Sequence, residues 1–353
     1  MAPLREYKGA IHIHTSFSDG SGKVEDIIKA AQDAGLDYLI ISDHDKLLPE
    51  QLEFQGRHGN LLVIYGVELR ACVFGRRHFL ALGVKSHLPY MKEPFPQRLE
   101  HIQRDGGISI IAHPAGPFRP WRGQTHFAWK TFPDAFFHGL EIWTYMHDWM
   151  GNLALTRLRE KVARSDYNLS GPDVALLRRW DELNMRRRVS GIASQDNHAR
   201  WIPFLRLRVF SYEYLFRRLL THVITGEMTG DAQKDIPDLL DAIGRGNAYM
   251  ANNGIAQAGS FRFTAETRNG AHGMGEWLEE PAKVLRVSSP QKAQMTLVRN
   301  GEVVAAQTTD RFELPDPPPG AYRVELRIDG IPWLFSNHIN VGMPLEGPDK
   351  TPR

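Results

Sequence analysis

The stretch Ala10-Ile-His-Ile-His-Thr-Ser-Phe-Ser-Asp-Gly20 ends a short apolar run with two histidines, one residue apart, and adds an aspartate five residues later. In a β-strand, residues i and i+2 point to the same face, so His12 and His14 are predicted to aim at one point beyond the strand end. Asp19 can fold back to that point. Imidazole and carboxylate together suit zinc, manganese or iron better than calcium or magnesium. Taken alone, the segment fits equally well two polar residues on a half-buried strand.

The pattern recurs along the chain, in six further apolar runs that end in, begin with or carry metal-binding residue types. Runs of four to seven apolar residues bounded by Gly, Ser, Asp or Pro predict buried strands. The polar residues of these runs are Asp43 and His44, Glu68, His78, His113, Glu141, and Asp196 with His198. The intervening segments are long enough for helices, most clearly from Val24 to Ala34, where an apolar stripe ends at Gly35.

Strand and helix alternating seven times predict a parallel sheet with crossover helices. In parallel barrels the catalytic groups lie at the carboxyl ends of the strands. So many strand ends carrying His, Asp or Glu indicate one shared site rather than scattered surface polar groups.

The ordered series His-x-His, Asp, Asp-His, Gly-Val-Glu, His, Ala-His-Pro and Asp-x-His, between residues 8 and 200, resembles the polymerase-and-histidinol-phosphatase (PHP) domain family. The resemblance implies an α/β fold, a distorted seven-stranded (β/α) barrel with a cluster of two or three metal ions, here zinc, manganese or iron.

The resemblance also implies nine ligands in three metal positions, with Glu68 bridging two of them. The first position takes His12, His14, Glu68 and Asp196, the second takes Asp19, His44 and His198, and the third takes Glu68, His78 and His113. Asp43 is expected to orient a ligand histidine, since such histidines usually have a hydrogen-bonding partner. The role of Glu141 is open between a ligand and a carboxylate bonded to a neighbouring loop.

The composition agrees with an ordinary globular protein of one or two domains. The chain has 353 residues, 24% charged and 42% hydrophobic, with a formal net charge of +2. The near-balanced charge gives no support to nucleic-acid binding. One cysteine excludes an internal disulfide and fits a reducing compartment. No signal peptide or membrane-spanning run is evident, so a cytoplasmic location is expected, while the oligomeric state is not indicated.

The sequence texture changes near Gly254, which suggests a boundary between two domains. We expect residues 1–253 to form the metal-binding barrel with added helices between 201 and 253, and residues 346–353 to form a flexible tail. Between them, alternating runs separated by Asn-Gly and Asp-Gly turns predict an antiparallel β-sandwich of immunoglobulin-like size over 254–345. The ending Trp333 to Val341 resembles the closing strand of a family branch that includes carbamate hydrolases, although that branch usually has Pro where this chain has His338.

Two loops are expected to rise over the metal face and to build a substrate pocket. Arg119, Arg122 and Arg200 are candidates for clamping an anionic group, since guanidinium matches phosphate or carboxylate in a bidentate way. Plain surface charge is the alternative for each. His126 and His147 lie in the same loops, and an apolar pocket could instead be lined by Trp121, Trp129, Trp143, Tyr145 and Trp149.

The leading hypothesis is a metal-dependent phosphoesterase acting on a small phosphorylated molecule. Metal ions would lower the pKa of a bound water from 15.7 to roughly 7, giving hydroxide at neutral pH. The second hypothesis keeps the metal cluster but cleaves a carbamate, ester or amide, which the C-terminal appendage favours somewhat. The third is a non-catalytic PHP-like binding scaffold, against which the full ligand set argues.

Overall fold

The structure is a computed structural model that describes residues 4–71, 77–86, 93–116, 118–119, 123–124, 127–151, 160, 162, 164–202 and 206–345. The predicted flexible tail, residues 346–353, lies outside these ranges. The helices are α1 (Val24–Asp33), α2 (Pro49–Leu52), α3 (Phe95–Arg104), α4 (Tyr145–Gly151), α5 (Val174–Asn184), α6 (Tyr212–Leu215) and α7 (Ala232–Arg245). Helix α1 forms where the sequence predicts it, with Val24, Ile27, Ile28 and Ala31 buried along one face.

The N-terminal part contains strands that are short, apolar and mostly buried. They are β1 (Arg5–Ile13), β2 (Tyr38–Ile41), β3 (Gly56–His58), β4 (Leu61–Arg70), β5 (His78–Leu82), β6 (Ile108–Ile111), β7 (Phe118–Arg119), β8 (Gly123–Gln124), β9 (Gly139–Thr144), β10 (Ser190–Ser194), β11 (Trp201–Ile202), β12 (Leu207–Arg208), β13 (Leu219–Thr225) and β14 (Ala248–Asn252).

The strands that carry the candidate site pair in the order β1, β2, β4, β5, β6, β9, β10. The prediction of an all-parallel arrangement is wrong at β5, which runs antiparallel to both β4 and β6. Only residues 71–77 separate β4 from β5, whereas a parallel crossover needs a dozen residues or more. The remaining pairs of the series are parallel.

Within the described residues, the sheet does not close through a strand pair between β10 and β1. The two strand ends are joined by a single parallel bridge between Ile13 and Asn197. Three backbone hydrogen bonds accompany it, from Gln195 N to Ile11 O (3.0 Å), from Asn197 N to His12 O (3.2 Å) and from His14 N to Asn197 O (3.0 Å). The far side of β1 pairs antiparallel with β13. The molecule is therefore a mixed α/β fold with a large sheet, and the closed seven-stranded barrel stays a prediction.

The prediction that residues 201–253 form only helices is wrong, because two strands of the large sheet, β13 and β14, lie there. The run Leu219–Thr225 is rich in β-branched residues, which favour strands over helices. Helix α7 forms between these two strands, as one of the helices predicted for this segment. It is capped by Gly246, whose φ of 81° is one that glycine adopts without strain.

The C-terminal strands are β15 (Arg262–Thr267), β16 (Gly270–His272), β17 (Trp277–Leu278), β18 (Val284–Arg299), β19 (Glu302–Pro315), β20 (Gly320–Ile328), β21 (Ile331–Ser336) and β22 (Ile339–Val341). Their pairings are antiparallel except for that of β17 with β22. They surround an apolar cluster of their own, but β21 also pairs with β14 and makes the sheet continuous with the N-terminal strands. A separate β-sandwich, and the domain boundaries with it, stay predictions.

A buried ion cluster also joins the two parts of the chain. Asp181 on α5 accepts hydrogen bonds from Arg323 Nε (2.6 Å) and is 2.7 Å from His338 Nε2. His338, the residue that departs from the carbamate-hydrolase branch, is thus a structural contact between α5 and the C-terminal strands. Among the described residues, no helix has both the length and the apolar character needed to cross a membrane.

Candidate metal centre

All nine predicted ligands converge on one end of the sheet. His12 and His14 come from the end of β1, Glu68 from β4 and His78 from β5, and the others follow the strand ends as His44, His113, Asp196 and His198, with Asp19 on the loop after β1. Four overlapping groups of three or four potential donor atoms, each within 4.8 Å of one another, together include all nine of these residues and one further histidine, His147.

The two histidines of the opening motif converge by a different geometry from the one predicted. Regular strand alternation would place both on one face, but the β1–β2 register shifts between Ile11 and Ile13, and His12 has a φ of 69°. His14 lies beyond the strand, where its carbonyl accepts a hydrogen bond from Tyr212 Oη at 2.8 Å. Asp196 also has a positive φ, 51°. Such backbone strain in non-glycine residues is concentrated at functional sites.

The first predicted metal position is a compact ring of four donor atoms. His12 Nε2 lies 3.3 Å from Glu68 Oε2 and 3.5 Å from Asp196 Oδ1, and His14 Nε2 lies 3.4 Å and 3.2 Å from the same two oxygens. Four ligands placed tetrahedrally at a metal–ligand distance of about 2.1 Å would be separated by roughly 3.4 Å. The observed spacing therefore matches the ligand shell of one transition-metal ion.

The second predicted position centres on Asp19. Its Oδ1 is 3.0 Å from His198 Nε2 and 3.6 Å from His44 Nε2. Asp19 is the most exposed member of the cluster, with 42% of its side chain accessible. This position therefore faces the solvent, while the first is buried.

Glu68 lies between two of the predicted positions. Its Oε2 faces His12 and His14 and is 2.9 Å from His44 Nδ1, and its Oε1 is 2.8 Å from His78 Nδ1 and 3.0 Å from His113 Nε2. The carboxylate is nearly inaccessible to solvent. A carboxylate that bridges two metal ions requires this arrangement, with one oxygen facing the first predicted metal position and the other facing the third.

Glu141, whose role the sequence leaves open, is bonded to the histidine cluster. Its Oε1 lies 2.6 Å from His12 Nδ1, and its Oε2 accepts a hydrogen bond from the His113 backbone N–H at 2.7 Å. Glu141 therefore orients His12 from behind and leaves the Nε2 of that ring free for the first position. This is the partner that a ligating histidine usually has.

Asp43, by contrast, is not placed against a histidine, contrary to the prediction. Its carboxylate accepts hydrogen bonds from the Thr15 N–H and hydroxyl (both 2.8 Å), from Ser18 Oγ (2.5 Å) and from Gln51 Nε2 (2.9 Å). Asp43 thus holds the loop that follows β1, and it fixes His14 only through the adjacent backbone.

His147 is the residue of this site that the ligand assignment missed. It is buried on α4, with its Nε2 3.1 Å from Asp196 Oδ2 and its ring parallel to that of His113 at a centroid distance of 4.4 Å. The signal in the sequence is its position in the loop region after the β9 strand that carries Glu141, but no spacing rule singles it out from other loop histidines.

Burial disfavours the charged form of the titratable side chains in the cluster, yet the carboxylates stay ionised. The surrounding imidazoles hold the pKa values of Glu68 and Asp196 well below their usual range despite burial. Burial disfavours a charged His12, but the neighbouring Glu141 and Glu68 raise its pKa well above the ordinary value. Burial and the nearby His198 lower the pKa of His14 to about 4, which keeps this imidazole neutral and able to bind a metal at neutral pH.

Several buried donor and acceptor atoms of the site have no hydrogen-bonding partner among the described residues. They are His12 Nε2, both ring nitrogens of His14, Glu68 Oε2, His113 Nδ1 and His147 Nδ1. An unsatisfied buried polar group costs about 1–3 kcal/mol, so such a set needs an external partner. A divalent ion fits this requirement, because it would contact His12, His14 and Glu68 at once.

The centre opens into a cavity of about 380 Å³, here called the metal cavity, with Phe127, Met146, Met150 and Val209 among its lining residues. Arg200 reaches its rim, where its guanidinium bonds Asp19 Oδ2 at 3.0 Å. Of the other two arginines predicted to bind an anionic group, Arg119 is described only in its backbone, and Arg122 lies outside the described residues.

The predicted aromatic pocket over the metals does not form from the residues that are described. Trp129, Trp143, Tyr145 and Trp149 are all buried in the apolar core, and none lines the metal cavity. Trp121 and His126 lie outside the described residues. The sequence could not show that these aromatic side chains lie outside the metal cavity, because buried cores and ligand pockets are lined by the same residue types.

The comparison with known proteins agrees with the motif series. The model of the PHP domain matches residues 10–112, which include His12, His14, Asp19, His44, Glu68 and His78. The resemblance to the PHP family is therefore confirmed for this segment of the chain. His113, Asp196 and His198 lie beyond it, and the carbamate-hydrolase branch stays a prediction.

Individual relatives are distant. Over 138 residues the chain is 24% identical to the DNA polymerase/3'-5' exonuclease PolX of Bacillus subtilis (strain 168), a match that covers 32% of this chain and 24% of that polymerase. The chain thus spans about a quarter of that relative's length.

Two solved structures are similar at a low level. A two-domain protein containing a predicted PHP-like metal-dependent phosphoesterase from Bacteroides vulgatus ATCC 8482 has a TM-score of 0.44 and 15% identity, over 96% of this chain and 97% of that one. An amidohydrolase from Chromobacterium violaceum, with bound sulfate and no metal, has a TM-score of 0.33 and 16% identity, over 57% and 89% of the two chains.

Proposed function

We propose that this protein is a metal-dependent hydrolase that cleaves a phosphoester of a small molecule. The observation that carries the proposal is the ring formed by His12, His14, Glu68 and Asp196, whose spacing matches one ion's ligand shell. With it we propose the two further positions, two to three ions of zinc, manganese or iron, and a PHP-type barrel over residues 1–253 followed by a β-sandwich over 254–345.

The residues around the ions would have separate roles. When bound, divalent ions polarise the scissile group and lower the pKa of water to roughly 7. Glu141 holds His12 in one orientation, and Tyr212 fixes the backbone at His14. The apolar side chains of Phe127, Met146 and Met150 limit water around the reacting group.

Arg200 supplies positive charge at the rim of the metal cavity. Its guanidinium is paired with Asp19, and 68% of the side chain is exposed. A phosphoryl group in the cavity carries negative charge on several oxygens, and a guanidinium can donate two parallel hydrogen bonds to it. This favours a phosphoester over a neutral carbamate or amide.

The alternative reactions lose their main support. Hydrolysis of a carbamate, ester or amide on the same cluster called for an apolar aromatic pocket over the metals, but none of the four aromatic residues described lines the metal cavity. A non-catalytic scaffold would not require the complete set of donors found here, with buried atoms unsatisfied in the described structure.

The test uses protein purified without chelator. Inorganic phosphate should inhibit hydrolysis of phosphoesters competitively. Arg200→Ala should weaken that inhibition by roughly 1.5–3 kcal/mol, as expected for a hydrogen bond to a charged group. Arg327→Ala, at an exposed arginine of the C-terminal strands, is the matched control. Turnover of an aryl carbamate by protein that neither binds nor is inhibited by phosphate would reverse the choice of reaction.

A further inference from the structure

A second cavity, of about 340 Å³, adjoins the metal cavity. The two share His113 and His147 as lining residues, so the second cavity borders the candidate metal centre. The rest of the lining comes from residues 115–116, from β9, from α4 and from residues 170–176, which lead into α5. None of the nine predicted ligands other than His113 lines it.

The wall of the second cavity is held by a buried carboxylate. Asp148 accepts hydrogen bonds from Trp143 Nε1 and from the backbone N–H groups of Ser170 and Gly171, each at 2.9 Å. These bonds fix the indole and the loop at residues 170–171 relative to helix α4. This part of the cavity wall is therefore preorganised.

The C-terminal strands support the same wall from behind. The ring of Phe335 on β21 packs edge-on against Trp143 at a centroid distance of 5.5 Å. Gly171 has a φ of 88°, and a Cβ there would lie 3.0 Å from two ring carbons of Pro332. The loop thus approaches β21 as closely as glycine permits, which gives the C-terminal part of the chain a role in shaping this cavity.

The chemistry of the lining favours an uncharged ligand. Ile142, Trp143, Pro172, Val174 and Leu176 contribute apolar surface. Carboxylates of Asp148 and Asp173 also line the cavity, and no lysine or arginine does so among the residues that the structure describes. Carboxylates in a partly enclosed site disfavour an anionic group, while apolar walls favour a group that loses little hydration on entering.

We propose that the second cavity binds the organic group of the substrate, an uncharged aryl group, while the phosphoryl group occupies the metal cavity. The inference rests on the proposed phosphoester hydrolysis and adds the substrate class to it. The volume is at the lower end of the range for ligand pockets, which suits one or two rings better than a larger molecule.

Binding of phosphonates tests the proposal without the complication of leaving-group chemistry. Phenylphosphonate and methylphosphonate present the same anionic head and differ in the group that would enter the second cavity. We expect the metal-loaded protein to bind phenylphosphonate roughly ten- to fiftyfold more tightly in calorimetric titrations, since the phenyl ring buries more apolar surface. A 4-carboxyphenylphosphonate should lose most of that advantage, because its carboxylate would face Asp148 and Asp173.

Val174 offers a variant at the mouth of the cavity, since it lines the cavity and is 63% exposed. Val174→Trp should reduce the affinity for phenylphosphonate to nearly that for methylphosphonate and leave methylphosphonate unchanged. Val174→Arg should improve binding of the carboxyphenyl compound. Val303, 64% exposed on β19, provides the matched controls Val303→Trp and Val303→Arg, which should change neither affinity.

The possible outcomes distinguish a failure of the second cavity as the aryl site from a failure of the proposed function. Equal affinities for phenyl- and methylphosphonate, or a Val174→Trp effect no larger than that of Val303→Trp, would overturn the second cavity as the aryl site while leaving the metal cavity intact. If neither phosphonate nor inorganic phosphate binds the metal-loaded protein, the proposed function fails and the substrate assignment fails with it.

Discussion

Glu141→Gln should weaken metal binding although Glu141 itself is not a proposed ligand. The carboxylate makes two short buried contacts, to His12 Nδ1 at 2.6 Å and from the His113 N–H at 2.7 Å. A glutamine has one carbonyl oxygen and one NH₂ group, so one of the two buried donors would face another donor. The substitution conserves the shape and removes both the charge and one acceptor.

The size of the effect follows from these contacts. A hydrogen bond to a charged group contributes about 1.5–3 kcal/mol, and an unsatisfied buried donor costs about 1–3 kcal/mol. The loss of a partner behind a ligating histidine usually costs ten- to a hundredfold in metal affinity, which corresponds to about 1.4–2.7 kcal/mol. The two estimates agree, so we expect at least a tenfold loss.

The assay is competition with a chromophoric chelator, with circular dichroism to confirm that each variant is folded. Glu25→Gln, at an exposed glutamate in the first turn of α1, is the control. If Glu141→Gln binds metal within twofold of the unmodified protein, the hydrogen bond to His12 does not position a ligand and the reasoning is refuted.

Three further predictions test other parts of the account. Glu68→Gln should lower metal content at two positions and His78→Ala at one, so equal losses by elemental analysis would argue against a bridging carboxylate. His147→Leu removes the side chain that contacts Asp196 and should reduce metal affinity roughly ten- to a hundredfold. His147→Gln retains an N–H donor and should keep most of the affinity. Equal metal affinities of these two variants in chelator competition would count against this role of His147. Burial raises the pKa of Glu6, but the three side chains that donate hydrogen bonds to it outweigh burial and lower its pKa from 4.5 to about 2. The ionised carboxylate therefore contributes about 2 kcal/mol to the free energy of unfolding, allowing for partial solvent screening. This contribution is present above pH 4.5 and is lost as the pH falls towards 2. Denaturant unfolding of Glu6→Gln should therefore differ from the original protein at pH 7 and converge with it in acid, and a constant difference would contradict the shift.

The sequence predicts the members of the candidate site better than their geometry. Each proposed ligand could be recognised because it ends, opens or closely follows a short apolar run, and these residues do meet at one edge of the sheet. The irregular backbone at His12 could not be predicted, because the positive φ depends on contacts with residues far along the chain, such as the hydrogen bond from Asn197 N to His12 O. Glu141 and His147 needed the structure for the same reason, since 129 residues separate Glu141 from His12.

The limits on predicting the fold also have particular causes. The apolar runs identify the strands, but periodicity carries no information about strand direction, and the reversal at β5 follows from the short connection to β4. The pairing of β14 with β21 joins two parts of the chain that differ in sequence texture, so a boundary near residue 253 marks a change in local pattern and not an interruption of the sheet.

The number of metal ions bound per chain decides whether the proposed ligands form a metal centre. Protein purified without chelator and measured by elemental analysis should contain two to three transition-metal ions per chain. The double variant His12→Ala, His14→Ala should lose metal while circular dichroism stays unchanged, and His58→Ala, His272→Ala, at two histidines outside the site, should retain it. Stoichiometric metal in the first double variant, or none in the original protein, would contradict the account.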